Sequence, residues 1–193
     1  MRPAPGDARD RAGRDLADAA ADGIRAGSPV RTRAWITGMC AEALAAAETD
    51  RYRARALLRR AEADLDRADS AAEQQEAGYR RESFEHQTGL ALAQLGDLRA
   101  EEHFTASFGS RRPIERRTCA LIGVRLAHVQ LRRHRPDHAA RTLLGLGTDL
   151  AVSSARVQHT LTRIRAGWQP SRTDPDVAAA DRLLASLITP ARH

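Results

Sequence analysis

The sequence predicts an all-α protein built from short antiparallel helices. Apolar residues recur at three- and four-residue spacing along most of the 193-residue chain, which is the period of an amphipathic helix. Alanine is the most frequent residue and aromatic residues make up only 4% of the chain, so the core is expected to consist of alanine and leucine. Residues that favour strands do not occur in alternating runs, which argues against an all-β fold and a parallel α/β fold.

The first half of the chain is expected to contain four helices after a disordered stretch over residues 1–9. The first of these helices covers residues 10–26, where apolar side chains recur every four residues. Gly27-Ser28-Pro29 ends it and begins the next helix, because serine suits the N-cap and proline the first helical position. The three helices that follow are expected at residues 29–48, 50–68 and 79–95. The polar segment 69–78 is the best candidate for an internal linker.

Turn and cap residues divide the second half of the chain into five more helices. Gly96-Asp97 makes a tight turn before the first of them, and Pro136 begins the third. The expected helices cover about residues 98–108, 113–133, 136–144, 153–165 and 173–189. The last one has a clean apolar stripe and is expected to cap the open end of a helical array, with insertion into the groove of the array as the alternative. Residues 10–167 are thus predicted to be one repeat domain, followed by a linker and capping helix over 168–193.

Three segments of the chain share one helix–turn–helix layout. Their small or apolar packing positions are Trp35, Ala41, Ala54, Leu58 and Ala61 in the first copy, Gly89, Ala100 and Phe104 in the second, and Leu126, Ala127, Ala139 and Leu143 in the third. The second copy, with its Gly96-Asp97 turn, resembles a tetratricopeptide (TPR) repeat, although the match requires a one-residue deletion after Leu98. Gly89 and Ala127 lie 38 residues apart, against a standard repeat length of about 34.

Longer stretches resemble one particular group of proteins. They are AEALAAAETDRYRARALLRRAE (41–62), LALAQLGD (90–97) and SSARVQHTLTRIR (153–165). Together with Trp35 they resemble the C-terminal repeat region of helix-turn-helix transcriptional regulators of the XRE type from high-GC Gram-positive bacteria. The resemblance covers about residues 28–165. The DNA-binding domain that heads such regulators is missing from this sequence, so we expect either a stand-alone relative or a fragment of a longer regulator.

The resemblance implies a concave groove lined by the first helix of each pair, which typically receives a peptide, a partner helix or a protein edge. The groove positions implied are Trp35, Glu42, Ser83, His86, Leu90, Gln94, Leu121, Arg125, His128 and Arg132. They combine an aromatic anchor with a basic end, and Trp and Arg are the residue types most enriched at interface hot spots. The alternative for Trp35 is an ordinary core position.

A cluster of arginines in the segment SRRPIERR is a second candidate site. Arg111, Arg112, Arg116 and Arg117 lie at the start of a predicted helix, where guanidinium groups and the helix N-terminus together suit an anion. The alternative is a solvated face whose arginines pair with Glu115 and neighbouring acids.

No catalytic or metal-binding constellation is found in the sequence, and we expect neither an enzyme nor a cofactor. Glu82 and His86 share a helix face without a HExxH motif, and His134 and His138 have no evident third ligand. The two cysteines lie far apart without a CxxC partner, which fits a reducing cytoplasm. No apolar run approaches the roughly 20 residues of a membrane span.

The sequence therefore predicts a cytoplasmic, non-enzymatic module that binds a protein or peptide, with self-association as one form of this, and that serves a transcriptional regulatory system. The alternative is nucleic-acid binding through arginine-rich faces, because all 31 basic residues are arginine and the net charge is +6. The 25 interleaved acidic residues and the scarcity of aromatic side chains for base stacking argue against it. A small-molecule role has no specific residue in its favour at this level.

Overall fold

The computed structural model describes residues 29–47, 50–70, 79–112, 114–152 and 155–187. These residues form eight α-helices and two short 3-10 helices, with no strand among them. The α-helices are α1 (Val30–Ala46), α2 (Arg51–Ser70), α3 (Arg81–Gln94), α4 (Ala100–Gly109), α5 (Arg116–Arg132), α6 (Pro136–Leu146), α7 (Ala155–Gly167) and α8 (Pro175–Leu187). The chain is all-α, as predicted, with eight described helices where nine were expected. The expected helix over 10–26 and the expected disordered stretch over 1–9 lie outside the described residues.

Local turn chemistry explains where several helices end. Gly96 has a φ of +69° and lies between α3 and α4, a left-handed conformation that glycine adopts without steric cost. This confirms the predicted Gly96-Asp97 turn. Helix α6 begins at Pro136 as predicted but continues through Gly145, and it ends before Gly147, whose φ is +50°. A 3-10 helix, Gly147–Val152, follows it directly.

The described residues divide into two compact units, the first ending at His103 and the second beginning at Phe104, with the boundary inside α4. In the first unit α1 packs against both α2 and α3. Ala34 of α1, Ala61 and Leu65 of α2 and Phe84 of α3 form one buried cluster. The small alanine side chains let the three helices approach each other around a single aromatic ring.

In the second unit α5 packs against α6 and α7, and α6 also packs against α8. The large core cluster of this unit includes Trp168, which is completely buried just after α7. Val177, Ala180 and Leu184 of α8 are buried in the same cluster, so the apolar stripe predicted for the last helix is covered by protein. That the helix caps an array stays a prediction.

One carboxylate fastens the last helix of the second unit. Asp181 of α8 accepts hydrogen bonds from Arg165 Nε at 2.9 Å, Arg172 Nη2 at 2.9 Å and Trp168 Nε1 at 3.3 Å. The Arg165 hydrogen bond contributes most to a lowered pKa of Asp181, and the Trp168 hydrogen bond and the charges of Arg165 and Arg172 lower it further. The indole nitrogen of a buried tryptophan is thereby satisfied by a charged acceptor on the neighbouring helix.

Candidate functional site

The predicted groove residues of the first unit do not share one environment. Trp35 is 48% exposed, and Met39, four residues later on the same face of α1, is 46% exposed. Ser83, His86 and Leu90 of α3 are half-buried and Gln94 is exposed. Trp35 and Met39 therefore present an apolar pair to solvent, which differs from an ordinary core position for the tryptophan.

Helices α1 and α3, which carry the predicted groove residues of the first unit, approach each other closely at Gly38 and Gln87. A Cβ atom at Gly38 would lie 2.3 Å from Gln87 Oε1, so a larger residue at this contact would displace the Gln87 side chain. Gln87 is 6% exposed, and its Oε1 accepts a hydrogen bond from the Tyr79 hydroxyl. Burial raises the pKa of Tyr79, and the negative charges of Glu42 and Glu85 raise it further. Glu42, a predicted groove residue, thus contributes to the environment of a half-buried tyrosine.

The predicted groove residues of the second unit form a cationic face around one histidine. Arg125, His128 and Arg132 follow one another at helical spacing on α5. Burial lowers the pKa of His128, and the positive charges of Arg163 and Arg132 lower it further. His128 Nδ1 is buried without a hydrogen-bond partner among the described residues. Leu121 belongs to the partly buried rim of the core of this unit.

The predicted anion patch contains ion pairs within the chain. Arg111 Nη1 lies 3.4 Å from Glu115, and Arg116 is paired with Asp149. Glu115 also accepts a hydrogen bond from the backbone N–H of Arg112, which is the main cause of its lowered pKa. Arg117 is exposed. The acidic partners expected in the alternative, solvated interpretation are thus in place for two of the four arginines.

A cleft that the sequence did not indicate lies between α2 and α3 of the first unit. It has a volume of about 110 Å³ and combines an apolar floor with a cationic mouth. The floor consists of Leu58, Phe84 and Leu92, all of them at most 6% exposed. Polar residues complete its lining; they are Arg55, Arg59, Glu62, Thr88, Arg99 and His103.

Thr88 is the unusual residue of the cleft. It is 4% exposed, and its hydroxyl has no hydrogen-bond partner among the described residues. A buried hydroxyl that is left unpaired costs about 1–3 kcal/mol, so a buried threonine usually bonds a carbonyl of its own helix or a neighbour. The spacing of Phe84, Thr88 and Leu92 places all three on one face of α3, one turn apart.

Asp97, in the turn between α3 and α4, organises the mouth of the cleft. Its carboxylate accepts hydrogen bonds from Arg55 Nη2 at 3.1 Å and from Arg99 Nη2 at 3.0 Å. The Arg99 hydrogen bond is the main cause of an Asp97 pKa well below its usual range. His103 Nδ1 lies 2.6 Å from the Glu85 carboxylate, which fixes the imidazole ring. Arg59 also lines the cleft, and its guanidinium group forms no ion pair among the described residues.

The described part of the chain contains no candidate metal site, and its two cysteines are not joined in a disulfide. No three side chains of His, Cys, Asp or Glu there come together in a way that could hold a metal ion. Cys40 is buried and Cys119 half-buried, and both are free thiols. His138 contacts Arg135, and burial raises the pKa of the Cys119 thiol. Among the described residues, no helix is both long and apolar enough to cross a bilayer.

No family model matches this sequence, and no curated protein or solved structure matches it.

Proposed function

We propose that this chain is a non-enzymatic helical-repeat module that binds a protein or peptide. The order of helix packing supports this proposal. Helix α1 packs against α2 and α3, and α5 packs against α6 and α7, an order that is consistent with stacked helix pairs. The packing positions expected from the TPR resemblance are buried in both units, including Gly89, Ala100, Ala127 and Leu143. Trp35 is the exception.

The exposed pair of Trp35 and Met39 carries the binding proposal. Both side chains lie on α1, a first helix in the proposed pairs, and about half of each is open to solvent. A tryptophan supplies a large contact area at a low entropic cost, and a neighbouring methionine adapts to the shape of the partner. Exposed apolar side chains are common singly, but a tryptophan beside a methionine is the kind of anchor that interfaces use.

The role in transcriptional regulation rests on the resemblance of residues 28–165 to the repeat regions of XRE-type regulators. In this role the partner would be a signalling peptide or a regulatory protein bound by the α1 face. Nucleic-acid binding is less well supported, since several arginines are committed to acids of the chain. Arg31 pairs with Asp69 at 2.8 Å, and Arg55 and Arg99 share Asp97.

The test is affinity capture from host lysate with the full chain as bait, with and without nuclease, at physiological salt and at lower salt. We compare the wild-type chain with Trp35→Ala and with Tyr52→Ala, which removes an aromatic side chain that is 88% exposed on α2. A protein captured by the wild type and by Tyr52→Ala but lost with Trp35→Ala supports the proposal. Equal capture by all three baits refutes the α1 face as the binding site. Capture of nucleic acid that is lost on nuclease treatment, and that decreases steeply as the salt concentration rises, supports the alternative of nucleic-acid binding.

A further inference from the structure

We propose that the cleft between α2 and α3 binds a carboxylate group carried on a short aliphatic stem. Such a group occurs in small carboxylic acids and in the side chain of glutamate. The inference goes beyond the proposed function, because the cleft uses the Phe84, Thr88 and Leu92 face of α3 and contains neither Trp35 nor Met39. It stands or fails independently of a partner on α1.

The unpaired hydroxyl of Thr88 is the first observation behind this inference. Its side chain lines the cleft and is almost completely buried, yet its oxygen has no partner among the described residues. A carboxylate oxygen that enters the cleft accepts this O–H, and a hydrogen bond to a charged acceptor is about twice as strong as a neutral one. The ligand thereby satisfies a polar group that the fold itself leaves unsatisfied.

The charge of the lining selects a monoanion. Three guanidinium groups line the cleft against the single carboxylate of Glu62, so the lining is net positive. Asp97 already binds Arg55 and Arg99, which leaves Arg59 as the guanidinium that can pair with a ligand. One spare cation suits the single charge of a carboxylate better than the double charge of a phosphate.

The apolar floor selects the stem of the ligand. Leu58, Phe84 and Leu92 offer only hydrocarbon surface, against which two or three methylene groups are favourably buried. A volume of about 110 Å³ accommodates a group of this size and no extended chain. An acid of this shape places its methylenes on the floor and its carboxylate between Thr88 and Arg59.

The experiment titrates the isotope-labelled full chain with four probes and follows the Thr88 methyl resonance. The probes are butyrate and N-acetyl-glutamate amide, with butyramide and N-acetyl-glutamine amide as uncharged isosteres. We expect saturable shifts with the two acids and none with the two amides. Stronger binding of N-acetyl-glutamate amide than of butyrate identifies a peptide side chain as the source of the carboxylate, and the reverse order identifies a free small acid.

Variants then test the assigned contacts. Thr88→Val keeps the shape and removes the hydroxyl, and Arg59→Gln removes the spare charge; each is expected to weaken acid binding about tenfold. Thr88→Ser retains the hydroxyl and should retain binding, which separates the hydrogen bond from the packing of the methyl group. Arg60→Gln is the matched control, because Arg60 is an exposed neighbour on α2 that does not line the cleft.

Several results would overturn the inference. They are equal shifts with acids and amides, affinity unchanged in Thr88→Val and Arg59→Gln, or no shift with either acid up to its solubility limit. Inorganic phosphate that binds more tightly than both acids would also overturn it and assign the cleft to a different anion. None of these results bears on capture of a partner through Trp35, so the two proposals fail separately.

Discussion

Replacing Gly38 by alanine tests the packing of the first unit at its tightest described point. The added Cβ atom would lie 2.3 Å from Gln87 Oε1 and 3.0 Å from Gln87 Cδ, distances at which the glutamine must move. Gln87 is 6% exposed and accepts the Tyr79 hydroxyl. Displacing the glutamine relieves the clash, but it also breaks this partly buried hydrogen bond.

The expected change in the free energy of unfolding follows from two costs and one gain. Overpacking costs about 1–3 kcal/mol, and an unsatisfied buried polar group costs about 1–3 kcal/mol. Alanine in a helix interior recovers about 1 kcal/mol relative to glycine. We expect Gly38→Ala to lower the free energy of unfolding by about 2 kcal/mol, because relaxation of the glutamine side chain relieves part of the first two costs.

Urea unfolding followed by circular dichroism measures this change. Gly145→Ala is the matched control, since Gly145 also lies inside a helix but a Cβ atom there meets nothing within 4 Å. The control should raise stability by up to about 1 kcal/mol. In a Gln87→Ala background the obstacle is absent, and Gly38→Ala should become neutral or stabilising. A Gly38→Ala chain as stable as the wild type would refute the close approach of α1 and α3.

Two further predictions concern carboxylates. The pKa of Asp97 is held below its ordinary value by Arg99 and Arg55, so its contribution to stability is present above about pH 4 and is lost as pH falls below that value. Urea unfolding at a series of pH values should show that the free energy of unfolding falls below about pH 4 in the wild type and falls less steeply in Asp97→Asn. An equally steep fall in both chains would contradict a stabilising role for the Asp97 carboxylate. Asp181→Asn weakens three hydrogen bonds on α8 and should cost about 1–3 kcal/mol. Hydrogen exchange of the α8 backbone amides measures this loss of stability. Unchanged protection of these amides would show that apolar packing alone holds the helix.

Several of the arginines of this chain form ion pairs with acids of the same chain. By sequence, 31 arginines suggest a polyanion as a partner. In the structure, acids at Asp69, Asp97 and Asp181 each bind two arginines. A carboxylate suits this role because its two oxygens can accept hydrogen bonds from more than one guanidinium group at once. Six of the arginines are thus paired with acids of their own unit.

Local sequence patterns determined the helical class of this protein and several of its turns. Apolar spacing of three and four residues predicted the eight described helices, because helix formation depends on side chains within a turn of one another. The Gly96-Asp97 turn and the Pro136 helix start were likewise predictable, since they depend on the backbone preferences of single residues. The helix expected over residues 136–144 continues through Gly145 and ends before Gly147, because a single glycine does not end a helix whose apolar face is buried.

Only the tertiary structure decided which side chains are open and which are left without partners. The sequence does not show that Gly38 meets Gln87, because that contact joins residues 49 positions apart. Nor does it show that Thr88 lines a cleft with Arg59 and His103, since a threonine in a helix ordinarily bonds its own backbone. Burial and the satisfaction of polar groups depend on the neighbours that packing supplies, and a linear pattern specifies the face of a helix without specifying what covers it.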